Sequence, residues 1–208
     1  LKEKYETILK LPNVVGLSIA TRSDAITSDV YDYLETLNKK TFLTIELGLQ
    51  SAKDETLKLI NRGHTVENFV NCVKELKKRN IKVVVHIING LPYETKEDMI
   101  NTVKFLNNLG IDGIKIHMLS ILKGTNLAKM YEEEKFPILT KEEYVDIVCR
   151  QLRYLNPEVV IHRITADPNV DDLIAPTWLI KKFGVLNEID KEMKKRDIYQ
   201  GDLVTNKN

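Results

Sequence analysis

Along the run "TFLTIELGLQ", residues 41–50, a carboxylate, a glycine and an amide fall on alternate positions: Glu46, Gly48 and Gln50. Two further apolar runs carry similar intrusions, His86 within "IKVVVHIING" and Lys115 with His117 within "IDGIKIHML". Imidazole, ammonium and carboxylate groups gathered in one place suit metal binding, general-base or Schiff-base chemistry. Taken singly, each histidine reads as a hydrogen-bonded core residue. Taken together, several uncompensated polar groups in one interior would each cost about 1–3 kcal/mol, so a site is the economical explanation. Arg62 and His64 of "NRGH" end a helical pattern, where cations also suit the helix dipole, and both readings stay open. "NGLPYET", residues 89–95, puts Gly90 at a strand exit, either as a plain βα turn or to let backbone approach a ligand. No P-loop, HExxH, GxSxG or GxGxxG pattern is present, so nucleotide hydrolysis, zincin, hydrolase-elbow and dinucleotide readings lack local support.

The elements that must position these residues alternate. Strand-like runs begin at Asn13, Thr41, Ile81 and Ile111, with a weaker one at Glu158. Between them lie amphipathic helical patterns opened by capping signals, "TKED" at Thr95, "TKEE" at Thr140 and the looser "TVEN" at Thr65; Gly110 reads as a helix stop. One helical segment between successive strands implies parallel βαβ units, hence an α/β class. Successive strand residues point to opposite faces, so each face can be read separately. Leu43, Ile45, Leu47 and Leu49 form one aliphatic face of the second strand, opposed by Thr44, Glu46, Gly48 and Gln50. The first strand sets Val15, Leu17 and Ile19 against Gly16, Ser18, Ala20 and Arg22, and the fourth sets Ile114, Ile116 and Met118 against Lys115, His117 and Leu119. A doubly wound sheet needs both faces apolar, whereas a barrel can keep a small, polar interior if a ligand fills its mouth. The expected fold is therefore a partial TIM-type (β/α) barrel of parallel strands. A closed eight-stranded barrel takes about 250 residues, more than this chain has. Residues 175–201, which include the only tryptophan, Trp178, leave the βα rhythm and predict a helical extension packed on the barrel.

With 208 residues, 43% of them hydrophobic, the chain is long enough for one substantial core. Its 31 basic and 30 acidic residues give a net charge of +1, so no bulk field recruits nucleic acid or anionic membrane. The basic runs "KELKKRN" and "KEMKKRD" interleave acids and read as solvated helix faces. No apolar run reaches the roughly 18 residues of a membrane span. Cys72 and Cys149 sit in helical patterns and fit reduced, buried thiols, in keeping with a cytoplasmic location.

Taken in order, "IATRSD", "ELGLQS", "NRGH", "HIINGLPYET" and "GIKIHMLSILKGTNLAKMY" resemble radical S-adenosylmethionine (radical SAM) enzymes of the elongator-catalytic-subunit and oxygen-independent coproporphyrinogen oxidase type. "IHRITADP", "LIAPTW" and "RDIYQG" further resemble a bacterial Fe-S oxidoreductase subgroup. The resemblance implies a (β/α)6 barrel holding S-adenosylmethionine and a 4Fe-4S cluster, which generates a 5′-deoxyadenosyl radical for hydrogen abstraction. It assigns residues 1–155 to the C-terminal part of that barrel and 156–208 to an extension. Ser18, Arg22, Glu46, Gln50, Arg62, His86 and Gly90 fall at cofactor-side positions, with Ser23 and Tyr93 replacing a proline and a glycine of the family pattern. Lys115 and His117 fall where substrate-side catalytic groups are expected. The family's cluster cysteines have no counterpart in this chain, so the resemblance implies a truncated remainder of a longer parent, inactive alone. It suggests tRNA wobble-uridine modification, with a small-molecule substrate as the other option. Two further readings stand beside it: a metal-dependent barrel hydrolase using His86, His117 and His162, and a non-catalytic binding module. An open barrel would also expose a strand edge, through which a dimer is expected.

Overall fold

The structure, a computed structural model, describes residues 2–204. In chain order the elements are α1 (Lys2–Leu9), β1 (Gly16–Thr21), α2 (Ser28–Asn38), β2 (Phe42–Gln50), α3 (Asp54–Leu59), α4 (Val66–Lys78), β3 (Lys82–Asn89), α5 (Lys96–Asn107) and β4 (Gly113–Met118). There follow β5 (Ile121–Leu122), α6 (Asn126–Glu134), α7 (Lys141–Tyr154), β6 (Val160–Arg163), β7 (Leu173–Ala175) and α8 (Lys182–Lys195). Short-range chemistry fixes several boundaries. Thr65, Thr95 and Thr140 each accept a hydrogen bond from the third backbone amide of the following helix, and the side chains of Asn68, Asp98 and Glu143 accept one from the threonine backbone N–H. Past the ends of α4 and α5 the chain reverses through Asn80 and Gly110, at φ 55° and 62°.

Five strands form one parallel sheet in the order β1-β2-β3-β4-β6. The outward face of β2, Leu43, Ile45, Leu47 and Leu49, is buried with Val83, Val85 and Ile87 of β3 and Ile114 and Ile116 of β4. The helices close over it with Phe69, Val73 and Leu76 from α4, Val103 and Leu106 from α5, and Tyr144 and Val148 from α7. At roughly 1.5–3 kcal/mol for each fully buried side chain of this kind, this layer holds the fold. The sheet curves as a barrel segment without closing, so β1 and β6 are its edges. Among the described residues no helix is long and apolar enough to cross a membrane.

Three details differ from the pattern read along the chain. β1 starts at Gly16 rather than Asn13, because Asn13 turns the chain at φ 69° and an edge strand has only β2 to pair with. Val15, expected on the apolar face, is 86% exposed. A second, two-stranded antiparallel sheet joins β5 to β7 and clasps the later chain to the barrel mouth. Beyond it α8 packs on α7 through Val185 and Ile189, with Lys141 Nζ 2.6 Å from Glu188 and Arg196 Nη1 2.6 Å from Asp146. The Trp178 ring lies 5.5 Å from that of Tyr144 at a tilt of 43°, and its indole N–H donates to the Leu139 carbonyl at 3.0 Å.

Candidate functional site

The concave face of the sheet gathers Ser18 from β1, Glu46, Gly48 and Gln50 from β2, His86 from β3, and Lys115 and His117 from β4. Strand register explains how. Glu46 lies beside Ala20 on one side and Val84 on the other, and Gly113 follows beside Val84, so small groups surround the carboxylate. His86 and Lys115, one register step further on, lean back toward it. Glu46 Oε1 accepts from Ser18 Oγ at 2.7 Å, and Oε2 accepts from Lys115 Nζ at 2.5 Å and His86 Nε2 at 2.7 Å. The Lys115 stem thus reaches across β3 to meet a carboxylate two strands away. Burial pushes the Glu46 carboxyl up, but the hydrogen bonds from Lys115, Ser18 and His86, with the Lys115 charge, reverse this and bring it down to about 2. Glu46 is therefore ionised at neutral pH. Burial lowers His86 against the raising effect of Glu46, while burial, His86 and Arg163 bring His117 down to about 4. Both imidazoles are neutral at pH 7, their ring centroids 5.3 Å apart.

At the carboxyl end of β2 the chain breaks register between Gly48 and Gln50, and Gln50 takes φ 74°. A non-glycine residue there stores about 1–3 kcal/mol of strain, a cost met most often at functional sites. The Arg62 guanidinium donates Nε and Nη2 to the Gly48 carbonyl at 3.2 and 2.6 Å, and His64 Nε2 lies 3.2 Å from the same oxygen. Both side chains thus turn inward to the strand end instead of serving only as helix-end cations. A Cβ on Gly48 would lie 2.5 Å from Arg62 Nη2 and 2.6 Å from Gln50 Nε2, so the bare glycine makes a cradle for these two tips. Arg22 pairs with Asp24 at 2.5 Å and lies over Gly63, which ties "TRSD" to "NRGH". Gly90 is buried: a Cβ there would meet Met118 Cε at 2.9 Å and Leu139 at 3.3 Å. Its missing side chain serves packing behind the strand end rather than open access.

Some partners were not signalled along the chain. Glu94, which closes "GLPYE", accepts a hydrogen bond from buried Ser51, and burial pushes its carboxyl up. It ties the loop after β2 to the loop after β3. Arg163, inside the quoted "IHRITADP", lines a cleft of about 420 Å³ at the mouth together with Gln50, His86, His117, Ser120 and Asp167. The placement of glutamate and glycine in the turn motif, and of arginine at a strand end, was the available signal.

The three histidines of the hydrolase reading do not converge. His162 lines the opposite end of the lumen beside Phe42, Thr44 and Val160, its Nε2 2.6 Å from where a Gly113 Cβ would be. The register shift between β4 and β6 turns Arg163, not His162, toward the mouth. Among the described residues no group of three His, Cys, Asp or Glu side chains could hold a metal ion. Cys72 and Cys149 are free and buried in α4 and α7, away from the lumen. The donor set present is one carboxylate, one amide, one ammonium, two guanidinium groups and two neutral imidazoles, which suits a polar, charged ligand. It does not fit an iron–sulfur cluster, which needs thiolates.

Residues 1–106 match the model of the Radical SAM superfamily, and residues 111–195 that of the Radical_SAM C-terminal domain. The chain is similar to Uncharacterized protein YtqA of Bacillus subtilis (strain 168), at 47% identity over 201 residues, covering 97% of this chain and 62% of that protein. It is also similar to Probable threonylcarbamoyladenosine tRNA methylthiotransferase of Methanocaldococcus jannaschii, at 34% identity over 144 residues, 68% of this chain and 33% of that one. Among solved structures, archaeal Methanocaldococcus infernus Elp3 with an N-terminal deletion matches with a TM-score of 0.78 and 25% identity, over 89% of this chain and 43% of that chain. The chain spans less than two thirds of the length of these curated relatives. By the family models that cover it and the open parallel barrel they share, the chain belongs to the radical SAM superfamily.

Proposed function

We propose that this chain forms the cofactor- and substrate-facing wall of a radical SAM enzyme that abstracts hydrogen from its substrate, with tRNA as the substrate class. The observation that carries the reading is the lumen itself, an ionised Glu46 held by Ser18, His86 and Lys115 below a mouth edged by Gln50 and Arg62. S-adenosylmethionine, when bound and reductively cleaved, supplies the hydrogen-abstracting 5′-deoxyadenosyl species. The chain's own residues bind and orient. Arg62 offers a cation for the cofactor carboxylate, Gln50 an amide for its hydroxyls, and Glu46 a fixed negative charge near its ammonium and sulfonium groups. Ser18 and His86 hold Glu46 in place, and Arg22 acts through the Gly63 turn. Gly90 acts by letting the strand end pack close against Met118. Lys115 bridges to Glu46 from the substrate side, where His117 presents a neutral imidazole. The reductive step is not assigned to residues of this chain, because its two thiols lie in the core.

Support for tRNA comes from the name of the methanogen methylthiotransferase relative. A net charge of +1 means that RNA would be held by local contacts rather than a general field. Calorimetric titration with S-adenosylmethionine tests the reading. Arg62→Met should weaken binding at least about tenfold, the value of one charge-assisted contact, while Cys149→Ser leaves it unchanged. Absence of binding, or equal affinity in Arg62→Met, would overturn it.

A further inference from the structure

The mouth is unevenly satisfied. On the β2 side every cation has a partner: Lys115 on Glu46, Arg62 on the Gly48 carbonyl, Arg22 on Asp24. On the β6 side Arg163 stands exposed, in register with Lys115, and has no hydrogen bond or ion pair among the described residues. It lines the mouth cleft together with His86 and His117, so the side chain stands over the lumen rather than away from it. Next to it, His117 Nε2 is buried without any hydrogen-bond partner. Buried polar nitrogens without partners are rare and costly, about 1–3 kcal/mol each. A planar guanidinium with free N–H groups and an unmatched imidazole nitrogen, which donates in its Nε2–H tautomer, together match one chemistry, an oxyanion. Asp167 lines the same cleft and has interactions of its own.

We infer that the β6 side of the mouth is an oxyanion subsite for the substrate, in which Arg163 grips a phosphate or carboxylate and His117 donates Nε2–H to it. The inference rests on the proposed function only in taking the mouth as the place where substrate sits. It separates the two sides of the mouth by task, the cofactor beside β2 near Gln50, the substrate anion beside β6 at Arg163. Phosphodiester of RNA and carboxylate of a small molecule share this chemistry, and the probes below tell them apart.

The test is a titration of the full chain, labelled with ¹⁵N-histidine, with dimethyl phosphate and separately with acetate at constant ionic strength, following the His117 ring nitrogens. A saturable shift of His117 is expected. Arg163→Gln should weaken it at least about tenfold, and Arg163→Lys, which keeps charge but loses the fork, should fall between. Tighter binding of dimethyl phosphate identifies a nucleic-acid backbone as the source, and tighter binding of acetate a carboxylate substrate. A shift that never saturates in the unmodified chain, or an identical curve in Arg163→Gln, overturns the subsite. S-adenosylmethionine titrated into the same unmodified sample keeps the two readings apart. Its failure to bind refutes the cofactor assignment while the anion curve still decides this one.

Discussion

Replacing Glu46 with glutamine removes one charge from the lumen at nearly constant volume. The carboxylate side chain is 14% exposed and its partner Lys115 21%, so solvent screens the pair only partly. Three donors converge on it, at 2.7 Å from Ser18, 2.7 Å from His86 and 2.5 Å from Lys115. A glutamine oxygen in the Oε2 position can keep both Lys115 and His86, now without the charge, and its NH₂ then faces Ser18, which can turn to accept. Loss of charge-assisted bonds worth about 1.5–3 kcal/mol each is offset by the retained contact and by Lys115 extending toward water, leaving a net cost of about 2 kcal/mol. For a chain of this size that lowers the melting temperature by about 4–8 °C. The pH dependence supplies a sharper check. The folded carboxyl is held at about 2 against an ordinary 4.5, so its contribution is complete above pH 4.5 and is lost as pH falls from 4.5 toward 2. Urea unfolding of both proteins should therefore give a constant gap from pH 8 to about 5 that narrows below 4.5. Carboxyl ¹³C titration of Glu46 should show no midpoint above 3.5. A midpoint near 4, or a gap under about 0.5 kcal/mol at neutral pH, would refute the reasoning.

Two more perturbations follow from the same wall. His117, held at about 4 against 6.5, stabilises the fold above pH 6.5 and loses that contribution as pH falls to 4, because the unfolded chain takes up the proton first. His117→Asn should flatten the pH 7 to 4.5 stability profile by up to about 1.4 kcal/mol per pH unit in denaturant melts, with His86 leaving a residual slope of the same sign; an unchanged slope contradicts this. Gly48→Ala places a methyl 2.5 Å from Arg62 Nη2 and 2.6 Å from Gln50 Nε2. Both are side-chain tips and can move, so stability should fall by only about 1–2 kcal/mol while S-adenosylmethionine affinity falls at least about tenfold; equal affinity by calorimetry would show that the cradle is packing alone.

What could be read along the chain depended on the range of the interaction. Capping boxes at Thr65, Thr95 and Thr140 need only three residues, and all three form. Strand faces repeat every second residue, so the aliphatic layer and the polar lumen of β2, β3 and β4 were legible from alternation alone. The pairing of Ile121–Leu122 with Leu173–Ala175 was not, since two or three residues carry no period and lie about fifty residues apart. Neither was the positive φ of Gln50, which a glutamine does not announce. The register shift between β4 and β6 pairs Arg163, not His162, with Lys115 and leaves His162 at the far end of the lumen. That one displacement separates His162 from the other histidines and brings Arg163 to the mouth.

The polar lumen raises a question of cost that the geometry answers unequally at its two ends. Around Glu46 the sequence supplies its own counter-groups, so the wall is stable without any ligand and the carboxylate is fixed in charge and position before anything binds. Pre-organisation of this kind fits a part of the site that presents the same charge in the same place to every incoming occupant. At β6 the chain leaves a guanidinium unpaired and an imidazole nitrogen buried and unmatched. Among the described residues the other buried side-chain atoms without partners, Ser23 Oγ and Arg79 Nε, lie outside the cleft. Had the chain paired Arg163 internally, an arriving anion would have had to displace that partner and lose much of its binding energy. An unpaired cation is therefore the economical state for a subsite that must fill and empty at each turnover. The contrast between a satisfied end and an unsatisfied one is the physical ground for placing the substrate beside β6.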